Sequence, residues 1–240
     1  MYYQKIGDCS KRVVLFLHGW GADLTSFAGV TFLLPPPSGV SYLLVDFCGF
    51  GKSPEPQRPY TIFDYAVDVK ELLCKLKIDK VTIVGHSFGG RVGIILASKY
   101  KSLVEKLVLV DSAGIIEGRG LLYKIKIFRY KLGKKLVALR LKKKNFDGGS
   151  SDYKALKTDI MRKTFVNVVN TDLKELAKEI CVPTVLIWGR DDDVTTIKSA
   201  KKFNKLIKNS KLQIIEDAGH YCFVDKPTEF VYILYESLFL

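Results

Sequence analysis

The chain has 240 residues, 48% of them apolar and 26% charged, a balance that excludes a disordered or fibrous protein and suits one buried core. No apolar run reaches the ~20 residues a membrane helix needs, and the first residues lack the charged-then-apolar order of a secretory signal. A cytoplasmic location is therefore expected. The formal net charge is +13, which leaves an anionic substrate, lipid or macromolecule open as a partner.

Six short β-branched and aliphatic runs punctuate the chain: Val13–Leu17, Tyr42–Val45, Val81–Val84, Lys106–Val110, Thr184–Trp188 and Leu212–Ile215. Their length and continuity predict buried parallel strands. About a dozen residues precede the first, room for a single edge strand. Ile62, Tyr65, Ala66, Val69, Leu72, Leu73 and Leu76 recur at helical spacing, a similar pattern follows Ser87, and a third closes the chain from Pro227 to Phe239. Strands alternating with helices predict an α/β fold with a mostly parallel, doubly wound sheet. A single domain over 1–240 is expected, with a small helical cap insertion at about 114–172. There Leu121, Leu122, Ile125, Phe128, Leu132, Leu136 and Leu139 recur among lysines, and a hinge is expected near Gly148–Ser151.

Five cysteines, Cys9, Cys48, Cys74, Cys181 and Cys222, are scattered and lack CxxC spacing. Neither a disulfide framework nor a metal site is expected; they read as small buried residues. No cofactor is called for.

Gly85-His86-Ser87-Phe88-Gly89 stands directly after a predicted strand and before a predicted helix. A serine on so sharp a turn needs neighbours without side chains, because the backbone passes too close for a Cβ. The turn exposes the hydroxyl and sets a helix N-terminus beside it, where amides face a developing negative charge.

From about Val13 to its end the chain resembles the α/β-hydrolase superfamily, and several motifs agree in order. His18-Gly19-Trp20-Gly21 is similar to the family's oxyanion loop, which implies that the Trp20 amide, with that of Phe88, holds an oxyanion. Asp46-Phe47-Cys48-Gly49-Phe50-Gly51-Lys52-Ser53 resembles the family's Asp-x-x-Gly-x-Gly-x-Ser turn, with Cys48 where proline is common. The same stretch does not read as a phosphate loop, since Asp46 stands where that motif requires glycine. Of three histidines, His18 and His86 sit in the loop and elbow motifs. His220, in Asp217-Ala218-Gly219-His220-Tyr221, stands where the family places its general base. Trp188-Gly189-Arg190-Asp191-Asp192-Asp193 offers three adjacent carboxylates; family spacing favours Asp192, with Asp111 an outside candidate. The order nucleophile, acid, base is the one this fold uses.

The resemblance implies a serine hydrolase, a carboxylic ester hydrolase working through an acyl-serine with Ser87, His220 and Asp192, on a small-molecule ester or acyl substrate. Carbon–carbon hydrolysis or a lyase reaction on an anionic substrate is the alternative within enzymes. Arg91, four residues after Ser87, is placed to meet a substrate carboxylate or to pair elsewhere. A non-catalytic membrane- or nucleic-acid-binding scaffold is the alternative of another class, though it has no need for all four elements in order; no nucleic acid is expected.

Between residues 115 and 165 fifteen lysines and arginines face four carboxylates. They read either as a solvated helical face or as a device that draws in an anionic substrate or an acidic protein. In the second sense the loop and basic cap are similar to esterases acting on acyl chains held by an acidic carrier protein. Turnover unchanged between low and high ionic strength would remove the steering reading.

Overall fold

The computed structural model describes residues 1–7, 12–116 and 150–240. Its strands are β1 (Tyr2–Ile6), β2 (Arg12–Leu17), β3 (Val40–Asp46), β4 (Val81–His86), β5 (Val104–Val110), β6 (Thr184–Gly189) and β7 (Ser210–Ile215). They form one sheet in the order β1-β3-β2-β4-β5-β6-β7, parallel except for β1, which pairs antiparallel with β3 on the edge. All six predicted strands are present, and the residues before β2 supply the single edge strand.

Side-chain alternation divides the core in two. In β2, Val13, Leu15 and Leu17 join one apolar layer while Val14 and Phe16 join the other, the period of a strand covered on both faces. The first layer is closed by α2 (Ile62–Lys75), α3 (Phe88–Lys99) and, further along the chain, α6 (Lys174–Lys178) and α7 (Ile197–Leu206). The second is closed by α1 (Ala28–Leu33), α8 (Cys222–Asp225) and α9 (Pro227–Phe239). Full burial of a side chain such as Leu15 or Leu17 contributes roughly 1.5–3 kcal/mol. On α2 the predicted stripe is buried from Ile62 to Leu73, and Thr61 and Asp64 form a reciprocal capping box that starts the helix. By contrast α3 is buried from Phe88 to Ser98 on all sides, as a helix wedged between a sheet and another helix must be.

Between β5 and β6 the described residues form α4 (Ser151–Ala155), α5 (Asp159–Val169) and α6. Ser150 caps α4 through its side chain, next to the expected hinge. The predicted helical run from Leu121 to Leu139, with most of the basic excess, lies outside the described residues, as do Gly148 and Gly149 of that hinge. Through α5 this segment meets the loop after β3: Tyr60 donates its amide to Thr164 Oγ1 at 2.9 Å, and Asn167 donates to the Tyr60 carbonyl at 3.0 Å.

One sequence expectation changes here. Cys222 is buried and Cys48 half-buried, but Cys74 and Cys181 are exposed; Cys74 falls off the buried stripe of α2 and Cys181 lies in the loop before β6. Cys9 is outside the described residues. The Asp46 turn is a structural clasp: its carboxylate accepts the amides of Leu24 and Lys52, and Ser53 Oγ donates to its carbonyl, which leaves that turn committed to holding the loop after β2. Among the described residues no helix is long and apolar enough to cross a membrane.

Candidate active site

Ser87 joins β4 to α3 with φ +48° and ψ −106°, a conformation a non-glycine residue adopts only when its surroundings impose it. The surroundings are visible. The Ser87 amide donates to the Val110 carbonyl at 3.0 Å, and its carbonyl accepts from the Ala113 amide at 3.1 Å. A Cβ on Gly89 would strike the Leu17 carbonyl, which is why this helix turn can lie so close to β2. Gly89→Ala is expected to cost at least the ~1–3 kcal/mol of an overpacked core and to lower the thermal midpoint; an unchanged melting curve would contradict it.

His220 sits on the loop after β7 with Nε2 3.0 Å from Ser87 Oγ. Its Nδ1 lies 2.9 Å from Asp192 Oδ2, so with the proton on Nδ1 that nitrogen donates to the carboxylate and Nε2 is free to accept from the serine. Asp192 is buried, yet four donors converge on it: the amides of Val194 and Thr195 on Oδ1, both at 2.8 Å, and His220 Nδ1 and Thr195 Oγ1 on Oδ2. Burial alone would raise its pKa, but hydrogen bonds from His220 and Thr195 outweigh that and hold the carboxyl below the usual range. Asp191 and Asp193 are exposed turn residues. The Asp111 carboxylate accepts the amides of Gly189 and Cys222 instead.

The other two histidines are supports. Burial lowers the pKa of His18; its Nδ1 donates to the Gly19 carbonyl at 2.8 Å and its Nε2 accepts from the Phe47 amide at 3.1 Å. Burial, with His220 beside it, pushes His86 down to about 3, so it is neutral and donates from Nε2 to the His220 carbonyl at 2.8 Å. Of the three, His220 is the one that meets Ser87.

A cavity of about 360 Å³ opens beside Ser87, and its lining includes Trp20, Phe88, Phe165, Arg91, Ser112 and Thr195. Trp20 packs edge-on against Phe88 with centroids 5.2 Å apart. Phe88 is the first residue of α3, where an amide has no acceptor within its own helix, and a Cβ on Gly19 would stand 3.7 Å from that of Ser87. The loop carrying Trp20 and the start of α3 therefore flank the serine hydroxyl. Arg91 lines the cavity and donates from Nη1 to the Thr171 carbonyl at 2.8 Å, so it is paired with backbone on the cavity wall.

Sequence reasoning missed Thr195 and His86. The signal for Thr195 was present: a hydroxyl residue three after an aspartate is the spacing of a side chain–backbone turn. Nothing in the sequence marks His86 as the partner of the His220 carbonyl, 134 residues away.

The family described as alpha/beta hydrolase fold matches residues 12–127 and 118–227. The chain belongs to that family. It is 28% identical over 235 residues to 2-hydroxy-6-oxo-6-(2'-aminophenyl)hexa-2,4-dienoic acid hydrolase of Metapseudomonas resinovorans, covering 90% of this chain and 80% of that one. It is 26% identical over 252 residues to Lipase 1 of Psychrobacter immobilis, covering 95% and 77%. The fold of this hydrolase superposes on that of a hydrolase from Pseudomonas aeruginosa PA01 with a TM-score of 0.78, at 22% identity over 99% of this chain and 94% of the other.

Proposed function

We propose that the protein is a serine-dependent carboxylic ester hydrolase. The observation that carries this reading is the continuous relay Ser87 Oγ, His220 Nε2, His220 Nδ1, Asp192 Oδ2, with steps of 3.0 and 2.9 Å across the ring. In the first half-reaction Ser87 Oγ attacks the ester carbonyl carbon as its proton passes to His220 Nε2. Asp192 stabilises the imidazolium and fixes its tautomer, and the amides of Trp20 and Phe88 hold the oxyanion. Collapse expels the alkoxide, which takes the proton from His220, and leaves an acyl-serine. Water then repeats the sequence, its proton passing to His220 and back to Ser87 as the carboxylic acid departs. The lipase relative supports this chemistry.

The test is hydrolysis of p-nitrophenyl esters from acetate to decanoate, with fluorophosphonate labelling. Labelling at Ser87 together with ester turnover is the expected result. Labelling without turnover keeps the nucleophile and rejects the ester class; absence of both rejects the reading.

A second reading, hydrolysis of a carbon–carbon bond or a lyase reaction in an anionic substrate by the same relay, is favoured by Arg91. A buried guanidinium on the cavity wall offers charge-assisted hydrogen bonds to a substrate carboxylate, each contributing about 1.5–3 kcal/mol. The dienoic acid hydrolase relative acts on such an acid by name. If Arg91 binds a carboxylate, Arg91→Met is expected to raise KM for p-nitrophenyl hydrogen glutarate about 10-fold or more and leave p-nitrophenyl butyrate within a few-fold. Equal changes for both esters would assign Arg91 to holding Thr171 alone.

A further inference from the structure

The general base of this site is carried on an irregular stretch, residues 216–221 between β7 and α8, yet a base must be held to within about 0.5 Å of its productive position. From the sheet beneath, two side chains hold the backbone where this stretch passes from His220 into α8. His86, at the end of β4, donates to the His220 carbonyl. Asp111, the residue after β5, accepts the Cys222 amide on Oδ2 at 3.3 Å.

Asp111 does more than hold one loop. Its Oδ1 accepts the amide of Gly189 at 2.8 Å, and Gly189 ends β6 at the root of the turn that carries Asp192. Its backbone carbonyl lies 2.9 Å from Thr195 Oγ1, the hydroxyl that is also 2.6 Å from Asp192 Oδ2. Its own amide donates to the Ile187 carbonyl at 3.0 Å, and two residues on, the Ala113 amide donates to the Ser87 carbonyl at 3.1 Å. Asp111 has φ +41°, a left-handed conformation that aspartate tolerates better than most residues, and it is fully buried. The base loop and the acid turn are themselves in close contact: a Cβ on Gly189 would meet the Gly219 carbonyl. One carboxylate therefore sits between both, with one oxygen assigned to each.

We propose that Asp111 is a positioning residue that fixes the base loop and the acid turn in one relative placement through the two oxygens of its carboxylate, and that the ionised form is the one that does so. The proposal rests on the reading of Ser87, His220 and Asp192 as the working relay. An ionised carboxylate accepts strongly at both oxygens; protonation makes one of them an O–H donor and a weaker acceptor, so the hold on the Cys222 or the Gly189 amide is loosened. Burial, and after it the charge of Asp192, push its pKa up to about 7 against the opposing hydrogen bonds. The ionisable groups acting on it are the Asp192 carboxylate, from the acid turn, and the Cys222 thiol, from the base loop. Burial and the neighbouring Asp111 raise the Cys222 pKa far above the ordinary thiol value, so it stays a neutral donor.

The test is the second-order rate of fluorophosphonate labelling from pH 5 to 9 for the wild type, Asp111→Asn and Ser87→Ala, with thermal melts of each. Labelling reports the relay directly and needs no knowledge of the natural substrate. Asp111→Asn mimics the protonated side chain in shape and charge. It is expected to label about 10- to 100-fold more slowly than the wild type at pH 8, the scale of a base displaced by about 1 Å, and to show a shallower acid limb. The wild-type limb is expected to be steeper by the one proton of Asp111. A rate for Asp111→Asn within threefold of the wild type at pH 8, or a wild-type limb no steeper than one proton, would overturn the proposal; the second result needs no variant to fold. Undiminished labelling of Ser87→Ala would instead overturn the relay itself.

Discussion

Ser87→Ala is expected to lower kcat for the best ester of the series by about 10⁴- to 10⁶-fold, to leave KM within a few-fold, and to abolish fluorophosphonate labelling. The size of the effect follows from what the hydroxyl does. In the proposed mechanism it is the group that forms a bond to substrate, and two other hydroxyls on the cavity wall, those of Ser112 and Thr195, already donate to the Ala113 carbonyl and towards Asp192. Binding is spared because the cavity walls are formed by Trp20, Phe88, Phe165 and Arg91, none of which depends on the hydroxyl. Residual activity, about 10³–10⁴ above the uncatalysed rate, would come from the oxyanion amides and from binding. Turnover by Ser87→Ala within tenfold of the wild type would remove serine from the mechanism.

Asp192→Asn is expected to reduce kcat by about 10⁴-fold with little loss of fold, and the hydrogen-bond geometry gives the reason. Two backbone amides, of Val194 and Thr195, donate to Oδ1, so an asparagine can place only its oxygen there. Its NH₂ then occupies the Oδ2 position, 2.9 Å from His220 Nδ1. A donor facing Nδ1 forces the proton onto Nε2, where it points at Ser87 Oγ and leaves the imidazole unable to accept the serine proton. The exposed neighbours provide the control: Asp191→Asn and Asp193→Asn are expected to keep kcat within about twofold, as surface changes away from such features do. Should Asp193→Asn or Asp191→Asn show the large loss instead, the acid has been misassigned. The pH profile separates this variant from Asp111→Asn. Asp192 is held below the usual carboxylate range and so contributes no limb above pH 5, whereas Asp111 titrates near 7.

The strands, the three main helices and the elbow could be read from local pattern because their determinants are local. A buried parallel strand is a short β-branched run, α2 carries its own stripe and capping box, and Gly89 is required by the backbone that passes beside it. The candidate base was equally accessible, since three histidines leave few choices. The candidate acid, Asp192, rested on family spacing alone. Asp191, Asp192, Asp193 and Asp111 are chemically alike, and family spacing could rank them without showing what each touches. Only the folded chain, by turning Asp192 inward among four donors and leaving its neighbours in solvent, distinguishes them.

The same division holds elsewhere. Cys74 and Cys222 have the same side chain, and whether each is buried depends on which way a helix faces the sheet. Composition and spacing by themselves determined an α/β architecture with a serine on a glycine-flanked elbow; the resemblance to the family singled out the histidine after the last strand and the acidic turn before it. Tertiary structure decided the strand order, which side chains close the cavity and how the loops are held. The physical reason is range: hydrophobic period and turn chemistry act over a few residues, whereas the bonds that aim His220, from His86 and at Asp192, join residues 134 and 28 positions apart and exist only once the sheet has brought its strand ends together.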